Sequence, residues 1–463
     1  MNQTDWLQYD VDQMVQGDRE LLWHHLKPHK VFESKEQMIP VEAKGLMVKD
    51  IRGREYLDAT SGGVWSVVVG FGRESMAKAI SDQLIKMTYY AGALGNIPAI
   101  KLSKKILDYL PNQDKIFYSN SGSEANEKAY KMIRQLSHID PERKGKYKVL
   151  YRDRDYHGTT IGALSSTGQS ERKQHFGPFA EGFAEIPSAL CYRCPFDLTY
   201  PSCEIQCARE TEEVILREGP DTVGGCIVEP ITAGGGILPP VKEYYPILRE
   251  ICDKYGIYLI FDEVVCAFGR TGKFCGYEHY DVKPDMVTMA KGMASSYMPL
   301  SATTTTQEIF DKFLNDPNQE SERLNFYRDI STYGGCAAGM SAGLENLRII
   351  EEENLVERSR VLGEYFLDRL QELADLPIVG DVRGQGLFCG LEFVRNKKTK
   401  EPISEAEMGK LMGDVAANGV LVGRTNTSIP GNNTIMNFAP ALIVTREQLD
   451  QIVSAVKKAL EKF

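Results

Sequence analysis

IYLIFDE (residues 257–263) and DMVTMAK (285–291) are the stretches that decide the fold. Each contains a mostly apolar run, and a charged residue follows that run, Asp262 in the first and Lys291 in the second. Short apolar runs of this kind are typical of strands in a parallel sheet that helices cover on both faces. Three similar runs occur earlier, namely KIFYS (115–119), YKVLYR (147–152) and VGGCIVE (223–229). Helical patterns such as 124–134 and 243–255 lie between them, so the sequence predicts an α/β fold with a mostly parallel sheet.

The two ends of the chain predict a second, smaller domain. The segment GLMVKDIRGREYLD (45–58) alternates apolar and polar residues about a turn at Arg52-Gly53, a pattern typical of a β-hairpin. Beyond residue 335, long helical stretches (337–350, 355–374), the segment VRGQGLFCGLEF and a last helix near 446–461 predict an α+β unit. We expect a large domain over residues 61–335 and a small domain built from residues 1–60 and 336–463.

Composition narrows the classes of partner. The net charge of −10 over 463 residues repels phosphate backbones and anionic membranes, so we expect neither nucleic acid nor a membrane as partner. The N-terminus MNQTDWLQYDVDQ lacks the basic and apolar regions of a secretory signal. No segment reaches the roughly 18 uninterrupted apolar residues of a membrane helix. We therefore expect a cytoplasmic protein whose cysteines are mostly thiols.

Four of the ten cysteines are close together in the sequence. They lie in a segment rich in proline and tyrosine, at Cys191, Cys194, Cys203 and Cys207. This spacing could hold zinc or an iron–sulfur cluster, although its C-x₃-C half is less typical than a second C-x₂-C. Packed thiols or a loop disulfide are the interpretation we favour, and we predict no metal.

Candidate functional residues stand where the predicted strands end, the edge at which open α/β sheets bind ligands. KIFYS leads into Ser121-Gly122-Ser123 and a helix, whose free N–H groups and positive dipole end suit phosphate. A plain helix N-cap by Ser121 or Ser123 is the alternative. Asp262 ends an apolar run and needs a partner to offset its desolvation. Lys291, in a dry pocket, would have a lowered pKa and attack carbonyl groups. Together these features fit pyridoxal phosphate.

The chain resembles the class III aminotransferases, which are fold type I pyridoxal-phosphate enzymes, over nearly its whole length. The motifs that carry the resemblance occur in the family's order: SGSEANEKAYK (121–131), YHGTT (156–160), VEP (228–230), IFDEV (260–264), MAKG (289–292), TYGG (332–335) and VRGQGLF (382–388). It implies a seven-stranded, mostly parallel sheet in the large domain and a smaller α+β domain. It also implies pyridoxal 5′-phosphate as cofactor, with an amine donor and a keto acid acceptor as substrates.

The resemblance assigns a role to each matching position. Lys291 would bind the cofactor covalently and later move a proton, and Asp262 would bond the cofactor's ring nitrogen. Ser121, Gly122 and Ser123 would bind the phosphate, together with Thr332 of the partner subunit. Tyr156 and Val264 would lie on the two faces of the cofactor ring. Glu229 and His157 would line the site. The role of Thr332 requires a homodimer, which could associate further into a tetramer.

Substrate choice depends on three further positions. Many relatives that use 2-oxoglutarate carry an arginine where this chain has Asn437, and an amide cannot form a bidentate salt bridge with a carboxylate. Arg424 matches a mobile arginine of the ω-amino acid:pyruvate branch, the alternative being a surface-loop arginine. Trp65 matches an aromatic wall of the substrate pocket in that branch, the alternative being a packed core tryptophan.

Within this branch, LLWHHLKPHK (21–30) and GGVWSVVVGFGR (62–73) are most similar to members that act on taurine and pyruvate. We therefore expect taurine as donor, although β-alanine has the same chain length and differs only in its acid group. An aminomutase, racemase or decarboxylase on the same lysine–aspartate core is a second hypothesis. A silent binding or regulatory protein is a third, which the presence of both Lys291 and Asp262 disfavours.

Overall fold

A computed structural model describes residues 8–33, 35–314 and 322–463. The strands of these residues are β1 (Pro40–Lys44), β2 (Met47–Asp50), β3 (Glu55–Asp58), β4 (Lys115–Ser119), β5 (Lys148–Arg152), β6 (Phe183–Ile186), β7 (Val223–Val228), β8 (Tyr258–Asp262), β9 (Met286–Met289), β10 (Ser301–Thr305), β11 (Val379–Gly384), β12 (Cys389–Asn396), β13 (Glu401–Pro402), β14 (Val420–Leu421), β15 (Gly423–Arg424) and β16 (Ile435–Phe438). The α-helices are α1 (Val11–Leu21), α2 (Glu74–Lys86), α3 (Ile97–Asp108), α4 (Gly122–Ile139), α5 (Ile161–Ser165), α6 (Ser170–Lys173), α7 (Gln206–Glu218), α8 (Tyr244–Lys254), α9 (Gln307–Lys312), α10 (Ala337–Glu352), α11 (Leu355–Gln371), α12 (Glu405–Ala417) and α13 (Arg446–Leu460).

The large sheet has seven strands in the order β4-β10-β9-β8-β7-β5-β6. Neighbours from β9 to β6 are parallel, and only β10 runs antiparallel to both strands beside it. This confirms the predicted mostly parallel sheet. The five predicted strands are observed to within two residues, whereas no apolar run had marked β6 or β10.

The centre of this sheet is apolar on both faces, as its sequence predicts. Every residue of β7, β8 and β9 is buried. Helix α4 packs against β7, β9 and β10 through a face that includes Ala125, Ala129 and Ile133. Because β8 and β9 are parallel neighbours, with Asp262 opposite Thr288, the residues that follow both strands emerge at one edge of the sheet.

The N-terminal and C-terminal parts of the chain share a second, four-stranded sheet. The predicted hairpin is confirmed, since β2 and β3 pair antiparallel about a turn at residues 51–53. Strand β14, far along the chain, pairs parallel with β3. A third sheet, β11-β12-β16-β15, and helices α10 to α13 complete the C-terminal part, where the predicted helices are observed. This pairing supports the predicted domain division, which itself stays a prediction.

The N-terminal segment lies on the surface. Asp10 caps α1 by accepting a hydrogen bond from the Gln13 N–H, and no residue of that helix is buried. The apolar side chains that follow, Leu22 and Trp23, are exposed. Among the described ranges, no helix has the length and apolarity of a membrane span.

Candidate active site

Lys291 follows β9 and has a backbone conformation that residues other than glycine rarely adopt. Its φ is +40°, in the left-handed region, and such backbone strain concentrates at functional sites. Its Nζ lies 5.4 Å from the ring centroid of Trp65. Burial lowers the pKa of Lys291, although the nearby carboxylates of Glu229 and Asp262 oppose this shift. The amine is therefore more readily neutral, and so more nucleophilic, than a surface lysine.

Asp262 is a buried carboxylate that accepts three hydrogen bonds. Its Oδ2 accepts from His157 Nδ1 and from Asn126 Nδ2, both at 2.8 Å, and its Oδ1 accepts from the Val264 N–H at 3.0 Å. Asp262 is 2% exposed, so these donors stabilise a charge that water hardly reaches. With Nδ1 of His157 as the donor, the buried Nε2 atom of that ring has no hydrogen-bond partner.

Asn126 was not predicted from the sequence, where it appears as an ordinary polar residue of α4. Its side-chain oxygen accepts a hydrogen bond from the Thr288 hydroxyl at 2.6 Å, and its Nδ2 also donates to the His157 carbonyl at 2.7 Å. Because Thr288 fixes which end of the amide faces β9, the NH₂ group faces Asp262. Nothing in its local sequence marks this role, because the role depends on contacts with β8 and β9.

The turn before α4 combines the two roles considered for it. The Ser121 side chain caps the helix by accepting from the Glu124 N–H at 3.3 Å. The Gly122 and Ser123 N–H groups belong to the first turn of this 18-residue helix, where intrahelical acceptors do not exist. A Cβ on Gly122 would lie 2.9 Å from Cγ1 of Val264, so the turn and Val264 form a close-fitting wall. Because Ser121 is exposed, an anion can reach the free N–H groups of this turn.

The YHGTT motif is tied to both this turn and the sheet edge. The Thr159 N–H donates to Ser123 Oγ at 3.2 Å, and the Tyr156 N–H donates to Glu229 Oε1 at 2.7 Å. Burial, with the charges of Asp155 and Asp262, raises the pKa of Glu229 well above its usual range. Tyr156, Glu229, Asp262 and Lys291 are thus brought together as predicted.

Trp65 connects Lys291 to the C-terminal part of the chain. Its Nε1 donates to Asn437 Oδ1 at 3.2 Å, and its ring meets that of Phe388 edge-on at 5.5 Å. The Asn437 side chain packs tightly against Gly423, where a Cβ would overlap with the Asn437 Oδ1 atom. Arg424, next along β15, has one nitrogen 3.9 Å from Glu405 Oε2 and a buried Nη1 without a hydrogen-bond partner.

Thr332 lies on the surface, apart from this cluster. It is exposed, and its carbonyl accepts a hydrogen bond from the Tyr89 hydroxyl at 2.9 Å. The preceding Ser331 accepts from Asn120 Nδ2 at 3.0 Å, so the segment runs beside the turn that begins α4. The side chain of Thr332 remains open to a second molecule.

The four clustered cysteines are free thiols that belong to a different region. Cys191 and Cys194 line a cavity of about 800 Å³ whose walls include none of the predicted site residues. No group of three or more His, Cys, Asp or Glu residues in the described part of the chain is arranged to hold a metal ion.

Comparison with known proteins identifies the family. The profile of the family described as aminotransferase class-III matches residues 31–460. The taurine–pyruvate aminotransferase of Rhodobacter capsulatus is 48% identical over 456 residues, and the hypotaurine/taurine–pyruvate aminotransferase of Paracoccus denitrificans is 48% identical over 454, each alignment covering 98% of both chains. A Bacillus anthracis aminotransferase structure superposes with a TM-score of 0.92 at 39% identity, covering 98% of this chain and 99% of the other. The chain belongs to the class III aminotransferases.

Its cofactor is therefore pyridoxal phosphate, on which this family depends. The residues present fit that group. Ser121 is exposed and Gly122 is half-buried, so the N-terminus of α4 is open to a phosphate. Asp262, held by three donors, suits a protonated ring nitrogen, and Lys291 suits a carbonyl carbon.

Proposed function

We propose that the protein transfers the amino group of taurine to pyruvate, giving sulfoacetaldehyde and alanine. The observation that carries this proposal is the 48% identity, over 98% of both chains, to relatives named for taurine and pyruvate. The alternative within the same chemistry is β-alanine or another ω-amine as donor. A non-transaminating reaction has less support. Eight curated relatives align with 95% or more of this chain, and all eight are named aminotransferases or transaminases.

The cofactor contacts follow the geometry of the sheet edge. Lys291 would hold the cofactor covalently, and the N–H groups of Gly122 and Ser123, with the Ser121 hydroxyl, would bind its phosphate. Tyr156 and Val264 would lie against the two faces of the ring, while His157 and Glu229 line the site. What supports these assignments is that hydrogen bonds link all the segments concerned.

Proton handling rests on Lys291 and Asp262. The bound cofactor supplies a carbonyl carbon that takes up the amino group and a ring that withdraws electrons from the carbon losing its proton. Asp262 would keep a proton on the ring nitrogen, because a buried carboxylate fixed by three donors favours a cation beside it. Lys291 Nζ, with its lowered pKa, would accept the proton from the substrate carbon and return it.

Substrate choice would follow from Trp65 and its neighbours. The indole, anchored on Asn437, stands between Lys291 and the C-terminal sheet and would restrict the size of the group beyond the amine. Asn437 already accepts a hydrogen bond and carries no charge, which disfavours a second carboxylate such as that of 2-oxoglutarate. Arg424, weakly paired, would be free to bind an acid group.

We further propose a cytoplasmic homodimer in which Thr332 of the partner subunit completes the phosphate site. Tyr89 and Tyr333 lie beside the exposed Thr332, and Leu94 and Ile330 line a cleft with the preceding Ser331; all four of these large side chains are exposed. Such a patch is typical of a surface that a second molecule buries. Association of dimers into a tetramer is not required by this arrangement.

Absorbance of the cofactor-loaded protein tests the proposed reaction. We expect taurine to bleach the band of the lysine-bound cofactor, pyruvate to restore it, and alanine to accumulate. β-Alanine and a diamine are titrated in parallel, and 2-oxoglutarate replaces pyruvate. Lys291→Ala should abolish both spectral changes, whereas Lys78→Ala, which changes an exposed lysine on α2, should leave them intact.

The outcomes separate the alternatives. Bleaching by β-alanine or the diamine but not by taurine would keep the aminotransferase and reject its donor. Turnover that needs no keto acid would favour the mutase, racemase or decarboxylase hypothesis. Absence of the lysine-bound band in cofactor-loaded protein would reject the role of Lys291.

A further inference from the structure

Arg172 is a half-buried cation beside the site that sequence reasoning did not single out. It lies on the short helix α6, and the carbon at the centre of its guanidinium stands 4.8 Å from the ring centroid of Tyr156. Its Nε donates to Gln169 Oε1 at 2.6 Å and its Nη2 donates to the Asn426 carbonyl at 3.2 Å. These acceptors are neutral, and in the described part of the chain no carboxylate forms an ion pair with Arg172.

Several other arginines withdrawn from water in this protein have a carboxylate partner. Arg152 pairs with Asp155 at 3.1 Å, and Arg383 pairs with Glu392 at 2.8 Å. Arg270 lacks a carboxylate, but carbonyls of the core hold it. Arg172 differs because it has a single carbonyl and one amide oxygen, so part of its guanidinium, which has five N–H donors, is left for another acceptor.

The position of Arg172 connects the reacting amine with the mobile-arginine segment. Tyr156, on which its guanidinium lies, is part of the cofactor site described above. Its positive charge adds to the burial that lowers the pKa of Lys291. Asn426, which accepts from Arg172, is two residues beyond Arg424.

We propose that Arg172 binds the acid group of the substrate, a sulfonate or a carboxylate, as a fixed receptor beside the more weakly held Arg424. The inference rests on the proposed function. Taurine and pyruvate carry their acid groups at different distances from the reacting carbon, since the sulfonate of taurine is one carbon farther away. Two guanidinium groups at different places can serve both substrates, and charge-assisted, bidentate binding suits the oxygens of either acid.

Arg172→Met tests this role by comparing donors on one preparation of the holoenzyme. We expect the KM for taurine to rise about 10–100-fold, the size expected for losing hydrogen bonds to a charged group. Bleaching of the cofactor band by n-propylamine, an amine with no acid group, should change in rate by less than about threefold when no keto acid is present. Arg172→Lys keeps the charge but loses the planar guanidinium, so its KM for taurine should lie between those of the native enzyme and Arg172→Met. Loss of folded protein would lower both activities together.

Binding of ethanesulfonate, which is taurine without its amine, provides a readout that needs no turnover. Calorimetric titration of the holoenzyme should show its affinity weakened at least tenfold by Arg172→Met. The matched control is Arg360→Met, since Arg360 is an exposed arginine paired with Glu357 and Glu364 on α11. That control should bind ethanesulfonate as the native protein does.

Failure of the inference is distinguishable from failure of the proposed function. Equal losses for taurine and n-propylamine, or unchanged ethanesulfonate affinity in Arg172→Met, would overturn the role of Arg172 while taurine activity of the native enzyme stands. A native enzyme that ignores taurine would reject the proposed donor. The comparison would then be repeated with β-alanine and propanoate, and an unchanged preference for the acidic donor would overturn the inference.

Discussion

Asn126 donates a hydrogen bond through its Nδ2 to Asp262 Oδ2 over 2.8 Å, linking the helix that starts at the phosphate turn to the carboxylate at the end of β8. The amide has no freedom to turn around, because its oxygen accepts from the Thr288 hydroxyl on β9. Every hydrogen-bonding group of this amide is therefore used, and its orientation depends on a hydroxyl that touches neither cofactor nor substrate.

Removing that hydroxyl should disturb the site without changing its shape. Thr288→Val leaves the Asn126 oxygen buried without a donor, a cost of about 1–3 kcal/mol in the free energy of unfolding. Because the amide is then held only through its NH₂ group, we expect a looser Asp262, a lower kcat and weaker cofactor binding. Urea unfolding, steady-state kinetics and cofactor titration measure the three effects.

Thr304→Val is the matched control. Thr304 is equally buried on the neighbouring β10, and its hydroxyl donates to Gln113 Oε1 at 2.8 Å, remote from Asp262. It should lose similar stability but keep its kcat and cofactor affinity. Equal kinetic losses in both variants would show that Thr288 acts only through stability.

The residues that could be predicted from local sequence are revealed by their neighbours along the chain, whereas Thr332, Val264 and His157 were assigned from the family resemblance only. Asp262 and Lys291 stand out because a charge directly after a buried apolar run is unusual. Asn126, Thr288 and Arg172 could not be found in this way. Their roles come from contacts between elements whose order in the sheet is not written in local sequence.

The missed strand β10 shows the same limit for the fold. Its sequence, SATTT, has no apolar run, yet all five residues are buried. Thr303 donates to the Ala125 carbonyl at 2.7 Å and Thr304 donates to Gln113, so α4 and the loop before β4 satisfy these two hydroxyls. Hydrogen bonding to neighbouring elements, which periodicity cannot predict, lets a polar segment enter the core.

Glu263, directly after Asp262, should make stability fall as pH rises. It is fully buried, and its carboxylate accepts from the Gly276 and Tyr277 N–H groups at 2.9 and 2.8 Å. Burial raises its pKa to about 8 despite these donors. Between pH 4.5 and 8 the folded state therefore holds a proton that the unfolded state releases, so unfolding becomes easier by up to about 3–5 kcal/mol over that range.

Glu263→Gln isolates this contribution. In urea unfolding of the apoprotein from pH 5 to pH 8, the free energy of unfolding should change less with pH in the variant than in the native chain. This comparison of slopes does not depend on the variant's stability at any one pH. Glu74→Gln, a change of an exposed acid at the start of α2, should keep the native slope. A native slope in Glu263→Gln would contradict the raised pKa.

Gly122 and Val264 are in contact so close that no side chain fits at position 122. A Cβ on Gly122 would lie 2.9 and 3.0 Å from the two Cγ atoms of Val264, inside ordinary contact distance. The turn that would bind phosphate and the residue that would cover the ring are thus fitted to each other. A change on one side should be compensated by a change on the other.

Gly122→Ala should destabilise the apoprotein by about 1–3 kcal/mol through overpacking, although alanine favours helix α4 by up to about 1 kcal/mol. Adding Val264→Ala should recover at least about 1 kcal/mol, because the clashing methyl groups are gone. Gly409→Ala within α12, where a Cβ meets no atom within 4 Å, is the control and should be neutral or stabilising. Urea unfolding of these three variants and of Val264→Ala alone gives all four values, and strictly additive effects of the two site substitutions would refute the contact.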